Sequence, residues 1–333
     1  MKVAFFLAGI LVGGFAYHAF WVSSPNPDAP LCPESVFVNQ FACIEPILAK
    51  GEYVNAKQKI IEYIDEQKRL GTISEAGIYF RDLRNGPTMG INEYAEFSTA
   101  SLLKVPVLIT YLNLLDSDPT IFDHEIALRE GFETNEAGFK QHYAPPTELE
   151  KDTAYTVGML LDRVVQYSDN VASEMLRAYL RVLTPDDILG ETYKELGLVP
   201  DEGNGDYVIS VKRYSSMFRI LFNASYLSLE NSEKALEMLS SSTFDTGIVA
   251  GVPEGIIVAN KFGERGFYST DPSVPSITQL HDCGIVYYPN NPYLICIMTQ
   301  GNSFETLERV IQDISRMMYE EVDSRRLPNA PLK

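Results

Sequence analysis

The sequence predicts an α/β fold that carries an all-helical lobe as an insertion. Segments with strand character lie near both ends of the chain, at 76–97 and at 255–299. The stretch between them reads mostly as helix, broken by polar loops, and an amphipathic helix closes the chain at 304–326. Strands so far apart in sequence belong to one sheet only if the intervening helices stand aside, which makes about 105–245 a lobe inserted in a domain spanning 31–333. The composition, 45% hydrophobic and 22% charged over 333 residues, is that of an ordinary globular protein with ample chain for a large core.

The N-terminus, 1–30, stands apart as signal anchor and linker. Lys2 precedes an uncharged, largely apolar run over 3–22, and about twenty apolar residues cross a bilayer. The run continues through Phe20 and Trp21, and tryptophan suits the membrane interface. No small-residue cleavage site precedes Pro25, so an uncleaved anchor is favoured over a cleaved signal. Either places the remaining chain outside the cytoplasm, as a single-pass membrane protein or a secreted one. Pro25, Pro27 and Pro30 mark a linker. A net charge of -18 speaks against nucleic acid and anionic membrane surfaces as partners.

Further elements follow in order. Residues 53–70 form an amphipathic helix ending near Gly71, and 76–82 and 89–97 form strands around a turn at Asn85-Gly86-Pro87. Residues 117–150 are polar and interrupted by Pro119, Pro145 and Pro146. Helical segments follow at 155–179, broken at 168–170, and at 186–197, 211–223 and 232–242, with 200–207 a polar loop. Strands occupy 255–262, 278–288 and 293–299. Cys32 and Cys43 lie close together, and a disulfide there suits an oxidising compartment. A turn centred on Asn290-Asn291 sets Cys283 opposite Met298 and Cys296 opposite Ile285, a diagonal pair open to a bond or to two buried thiols. No cysteine has metal-site spacing with a histidine, and nothing in the sequence asks for a metal or cofactor.

Chemistry concentrates in three short motifs. In F-S-T-A-S-L-L-K-V-P-V-L-I, Ser101 precedes an apolar helical run, and Lys104 stands one turn on with its amine near the hydroxyl. A serine becomes a nucleophile when a base takes its proton, and a desolvated lysine amine can be that base. Alone, the pair also describes an ordinary helix start. Ser168-Asp169-Asn170 is the second motif; alone it is also a helix cap. Lys261-Phe262-Gly263 is the third.

In this order the motifs resemble those of the class A β-lactamase-like and penicillin-binding serine hydrolases, S-x-x-K, S-D-N and K-T-G. The resemblance runs from about 53 to about 326. It implies an antiparallel five-stranded sheet flanked by helices, a helical subdomain and a site in the cleft between them. It assigns Ser101 as nucleophile, Lys104 as base and Ser168 as proton shuttle to the leaving amine. Asn170 is expected to hold the substrate amide and Lys104, with Asp169 supporting the loop from behind. Lys261 is expected to place a second positive charge in the cleft, keep Lys104 neutral and attract a substrate carboxylate. Gly263 is expected to let substrate approach the strand, and the backbone N–H groups of Ser101 and Glu264 to hold the oxyanion.

Two departures bear on substrate. Phe262 stands where the family has threonine or serine, so a hydroxyl that helps bind a carboxylate is lost; Arg265 or His281 is the substitute cation. No E-x-x-L-N occurs between Asn170 and Ser210, and in β-lactamases that glutamate activates the deacylating water. Glu202 and Asp206 sit in unlike contexts. The expectation is an extracytoplasmic serine hydrolase of the D,D-peptidase or penicillin-binding type, acting on peptide amides, those of peptidoglycan stems. The alternatives are a class A β-lactamase acting on β-lactams and an inactive envelope-binding module.

Overall fold

A computed structural model of the protein describes residues 37–38, 53–84, 86–129, 141–184, 186–198, 207–267 and 277–326. The expected anchor and linker, Cys32, Cys43, Glu202 and Asp206 lie outside the described residues. Within them, five strands form one antiparallel sheet: β1 (Ile73–Asp82), β2 (Thr88–Ile91), β7 (Val258–Phe267), β8 (Ile277–Val286) and β9 (Tyr293–Gly301). Its order is β2-β1-β9-β8-β7, so the first two strands pair with the last three across the whole length of the chain. β9 is buried through Thr299, as expected for a central strand covered on both faces.

One face of the sheet is covered by α1 (Val54–Arg69) and α8 (Phe304–Ser324). Their apolar stripes, Ala56, Ile60 and Ile64 on α1 and Leu307, Val310, Ile311, Ile314 and Met318 on α8, close a core on Ile78, Phe80, Ile295 and Ile297. The opposite face is met by α6 (Val211–Phe222), which packs on β1 and β9. The other helices come from the sequence between β2 and β7: α2 (Lys104–Leu114), α3 (Val157–Gln166), α4 (Asn170–Leu183), α5 (Ile188–Glu195) and α7 (Leu229–Leu239). Short ladders pair β3 (Glu96–Ser98) with β6 (Val208–Ser210) and β4 (Glu125–Ala127) with β5 (Ala154–Thr156). Among the described residues no helix is long and apolar enough to cross a membrane.

Several local expectations are corrected. The strand expected at 89–97 is two, because Asn92 takes a left-handed φ of 49° and turns the chain; Glu96–Ser98 then pairs outside the main sheet. The helix expected at 232–242 starts three residues earlier, where the Ser228 hydroxyl caps Asn231 N. β7 runs on through Phe267, so the whole third motif is strand interior. The β8–β9 register differs by two residues from a turn centred on the asparagines. Asn290 is left-handed, φ 57°, and the connection spans 287–292, which sets Cys283 directly opposite Cys296. The two are joined by a disulfide.

Candidate active site

The Ser101 turn is held from several elements at once. A 3-10 turn, Ala100–Leu103, carries Ser101 and feeds α2, which begins at Lys104. Residues 104–112 are all buried, so α2 is a central helix. Ahead of the turn, Thr99 donates through N and Oγ1 to Tyr207 O at 2.8 and 3.0 Å. His281 on β8 bonds Ser98 O through Nε2 at 3.1 Å, and Tyr214 on α6 donates to Leu102 O at 3.1 Å. Ala100, next to Ser101, has φ 46°. A non-glycine residue there costs about 1–3 kcal/mol, tolerable where surrounding bonds over-determine the backbone.

From this turn the Lys104 amine reaches the first two motifs together. Lys104 Nζ donates to Ser101 Oγ at 2.8 Å, Ser168 O at 2.6 Å, Ser168 Oγ at 3.1 Å and Asn170 Oδ1 at 2.5 Å. The second motif occupies the break between α3 and α4. Ser168 is left-handed there, φ 54°. Asp169 faces away from the amine: it caps α4 by accepting from Ala172 N at 3.1 Å and pairs with Arg163 Nε at 2.7 Å. It therefore fixes the turn that presents Ser168 and Asn170.

The third motif arrives on the edge strand β7, differently from expectation in two respects. A Cβ at Gly263 would lie 2.9 Å from Leu102 Cγ and 3.2 Å from Leu102 N. The clearance at this glycine admits the Ser101 turn, a contact the sequence did not lead one to expect. Lys261, expected to present a charge to the cleft, has 0% of its surface exposed. Its amine donates to Phe262 O at 2.8 Å and lies 4.2 Å from the centre of the Phe262 ring. Burial, then the nearby charge of Lys104, holds this ammonium well below the usual lysine range, against the attraction of Asp282 and Glu264.

His281 does not serve as a substitute cation either. It is fully buried, accepts from Thr299 N at Nδ1 and keeps its proton on Nε2 for Ser98 O; burial lowers its pKa to about 4. Arg265 is half-buried and already has a partner.

A strap that sequence reasoning missed crosses between the second and third motifs. Gln141 Nε2 donates to Tyr167 O at 3.3 Å and Ser168 O at 3.1 Å. The next two backbone N–H groups, of His142 and Tyr143, donate to the Glu264 carboxylate at 2.8 and 3.1 Å. Glu264 is buried, and that burial raises its pKa against these two bonds. The Tyr143 ring then meets Phe262 and Phe244 edge-on at 5.5 and 5.0 Å, while Phe244 stacks on Phe262 at 4.4 Å. Among the described residues no group of three or more His, Cys, Asp or Glu side chains could hold a metal.

This constellation can move a proton from a serine hydroxyl to a lysine amine and pass it to a second hydroxyl. The model of the β-lactamase enzyme family matches residues 55–322. Among solved structures, PBP-A superposes with a TM-score of 0.64 at 19% identity, covering 84% of this chain and 100% of that one. A variant of PBP-A, solved as an acyl-enzyme complex with penicillin G, gives 0.63 at 20% identity, with 84% and 100% covered. A class A β-lactamase from Mycobacterium abscessus gives 0.64 at 22% identity, with 80% of this chain and 98% of that one covered. Likeness at these identities is likeness of fold. No curated protein matches the sequence.

Proposed function

We propose, since this chain belongs to the β-lactamase enzyme family and is a serine hydrolase, that Ser101 cleaves peptide amide bonds through an acyl-enzyme, in the manner of a D,D-peptidase acting on peptidoglycan stems. The observation that carries this reading is the single amine, Lys104 Nζ, within hydrogen-bond reach of Ser101 Oγ, Ser168 Oγ and Asn170 Oδ1. A nucleophile, a base and a proton relay need that mutual reach before any pKa matters.

The steps follow from the positions. Lys104, in its neutral amine form, takes the Ser101 proton as Oγ attacks the carbonyl carbon. The tetrahedral oxyanion is held by the N–H groups of Ser101 and Glu264, on the turn and the strand that Gly263 lets meet. The C–N bond then breaks, the proton returns through Ser168 to the departing amine, and an ester on Ser101 remains. Asn170 orients the substrate amide while its Oδ1 keeps the lysine in place. Water or an acceptor amine releases the acyl group. The lack of E-x-x-L-N between Asn170 and Ser210 favours this reading over β-lactam turnover. An extracytoplasmic location, with 3–22 as the membrane attachment, accords with the Cys283–Cys296 disulfide, since such bonds persist in oxidising compartments.

The test is intact mass after exposure to a reactive acyl donor or a penicillin. Wild type gains one acyl group and Ser101→Ala gains none; equal labelling of the two proteins refutes Ser101 as nucleophile. Wild type inert to every acyl donor identifies a binding module.

A further inference from the structure

The strap 141–143 is anchored on the sheet and reaches the second motif. Glu264 on β7 takes the N–H groups of His142 and Tyr143. The Tyr143 hydroxyl donates to Glu308 on α8 at 2.9 Å, and the His142 ring stacks on Phe304 at 4.6 Å. These contacts tie the strap to the strand that carries the third motif. From there the half-buried Gln141 side chain extends to the residues that follow α3.

The Gln141 amide nitrogen has three carbonyl partners: Tyr143 O at 2.9 Å, Ser168 O at 3.1 Å and Tyr167 O at 3.3 Å. Three acceptors fix which way the amide faces, since its nitrogen is the atom that donates. The Tyr167 and Ser168 carbonyls belong to the peptide planes on either side of the Ser168 Cα, so holding both holds φ and ψ of that residue. Ser168 is left-handed, φ 54°, and such a backbone persists where its surroundings over-determine it. A carbonyl oxygen has two lone pairs. That of Ser168 takes Lys104 Nζ at 2.6 Å as well as Gln141, and the Ser168 hydroxyl then lies 3.1 Å from the same amine.

Resting on the serine hydrolase reading above, we propose that Gln141 is a positioning residue for proton delivery. Anchored through its strap to Glu264, it holds the Ser168 backbone so that the hydroxyl stands between the Lys104 amine and the departing nitrogen. In that step the proton taken by Lys104 passes to Ser168 Oγ as the Ser168 proton passes to the amine nitrogen, and the C–N bond breaks. An amide nitrogen leaves only once protonated. A thiol, which titrates at about 8.5, leaves as its thiolate when the C–S bond breaks and needs no proton. Gln141 therefore serves the cleavage of amides more than that of thioesters.

Two substrates with one acyl group test this on the full chain: diacetyl-L-lysyl-D-alanyl-D-alanine and diacetyl-L-lysyl-D-alanyl thioglycolate. Both leaving groups carry a carboxylate, and they differ in needing a proton. The quantity compared is kcat/KM, which reports acylation. Gln141→Met keeps nearly the length of the side chain and loses the donors; Gln141→Ala adds no atom. Each is expected to slow the amide about 10-fold more than the thioester, below the 10²–10⁴ that a proton-transferring group itself contributes. In a Ser168→Ala background, Gln141→Met is expected to leave the amide-to-thioester ratio where Ser168→Ala alone puts it, because the two act as one unit. Equal slowing of both substrates in a folded variant overturns the proposal and leaves Gln141 a cap for the end of α3. So does a further fall of the ratio in the Ser168→Ala background, which would place its action elsewhere. Loss of the folded circular dichroism spectrum in both Gln141 variants overturns it as well, in favour of a stability role. A fluorophosphonate separates the levels of failure. Labelling of Ser101 with the amide cleaved and the ratio unmoved overturns this inference alone. Labelling with the thioester cleaved but not the amide overturns the peptidase reading, and no labelling of Ser101 overturns the hydrolase reading, each taking the inference with it.

Discussion

Substituting His281 tests how the sheet supports the Ser101 turn. This ring has 0% exposure, donates from Nε2 to Ser98 O at 3.1 Å and accepts from Thr299 N at 3.3 Å. Burial lowers its pKa from 6.5 to about 4. Between those values the unfolded chain binds a proton that the native protein refuses, so acidification from 6.5 towards 4 removes stability. Its neighbour Asp282 acts in the opposite sense. Burial raises that carboxyl from 3.8 to about 6, so the native protein holds the extra proton, and stability is gained on acidification and lost as pH rises through 6. At about 1.4 kcal/mol per pKa unit, each displacement is worth about 3 kcal/mol, and the two nearly cancel between pH 4 and 6.5.

Glutamine at 281 keeps a donor for Ser98 O and removes the titration. His281→Gln should lose about 1–2 kcal/mol at pH 7.5, for the Thr299 bond. At pH 4.5 that deficit should shrink by about 2 kcal/mol and vanish or reverse, because the variant no longer refuses a proton. Asp282→Asn should do the converse, with stability falling about 2 kcal/mol more than wild type from pH 7.5 to 4.5. Urea unfolding of the full chain, followed by circular dichroism at both pH values, gives the differences directly. A gap between wild type and His281→Gln that is equal at both pH values refutes the neutral, buried histidine and the support it is said to give.

Three further outcomes follow from the site. Lys104→Ala should slow acylation by about 10²–10⁴ without unfolding the protein, and Lys104→Arg should be nearly as poor because a guanidinium keeps its protons; near-normal acylation by the arginine variant in a stopped-flow assay would leave the lysine a structural role. Gly263→Ala should push the new Cβ against Leu102 N, 3.2 Å away, displace the Ser101 turn by a few tenths of an ångström and slow acylation about 10-fold; a wild-type rate in mass-spectrometric time courses would show that the turn and β7 are not so tightly seated. Any penicillin adduct on Ser101 should persist, since the tethered amine of an opened β-lactam stays in the cleft and the sequence shows no deacylating glutamate in its usual context; rapid return to the free mass with many turnovers would establish β-lactam hydrolysis and make Glu202 and Asp206 the residues to substitute first.

The sequence by itself determined the family and which motif residues gather around Lys104, because that proximity is written in local geometry. Three residues of helical advance put Lys104 beside Ser101, and the cap formed by Asp169 turns Ser168 and Asn170 to meet them. Strand patterning near both ends likewise marked the segments that pair into one sheet. The left-handed backbone of Ala100 and Ser168 was not legible, since neither is a glycine or asparagine. Nor was the fate of Lys261: a lysine in a strand reads as solvated, whereas here it is fully buried, with its amine bonded to Phe262 O and facing the Phe262 ring. The strap's bond from His142 to Glu264 and the support of Ser98 by His281 join residues 122 and 183 positions apart. Contacts at such separations leave no period or motif in the chain. They form only when the sheet closes and desolvates the groups together, and that step decides which of the motif residues present charge and which are buried by it.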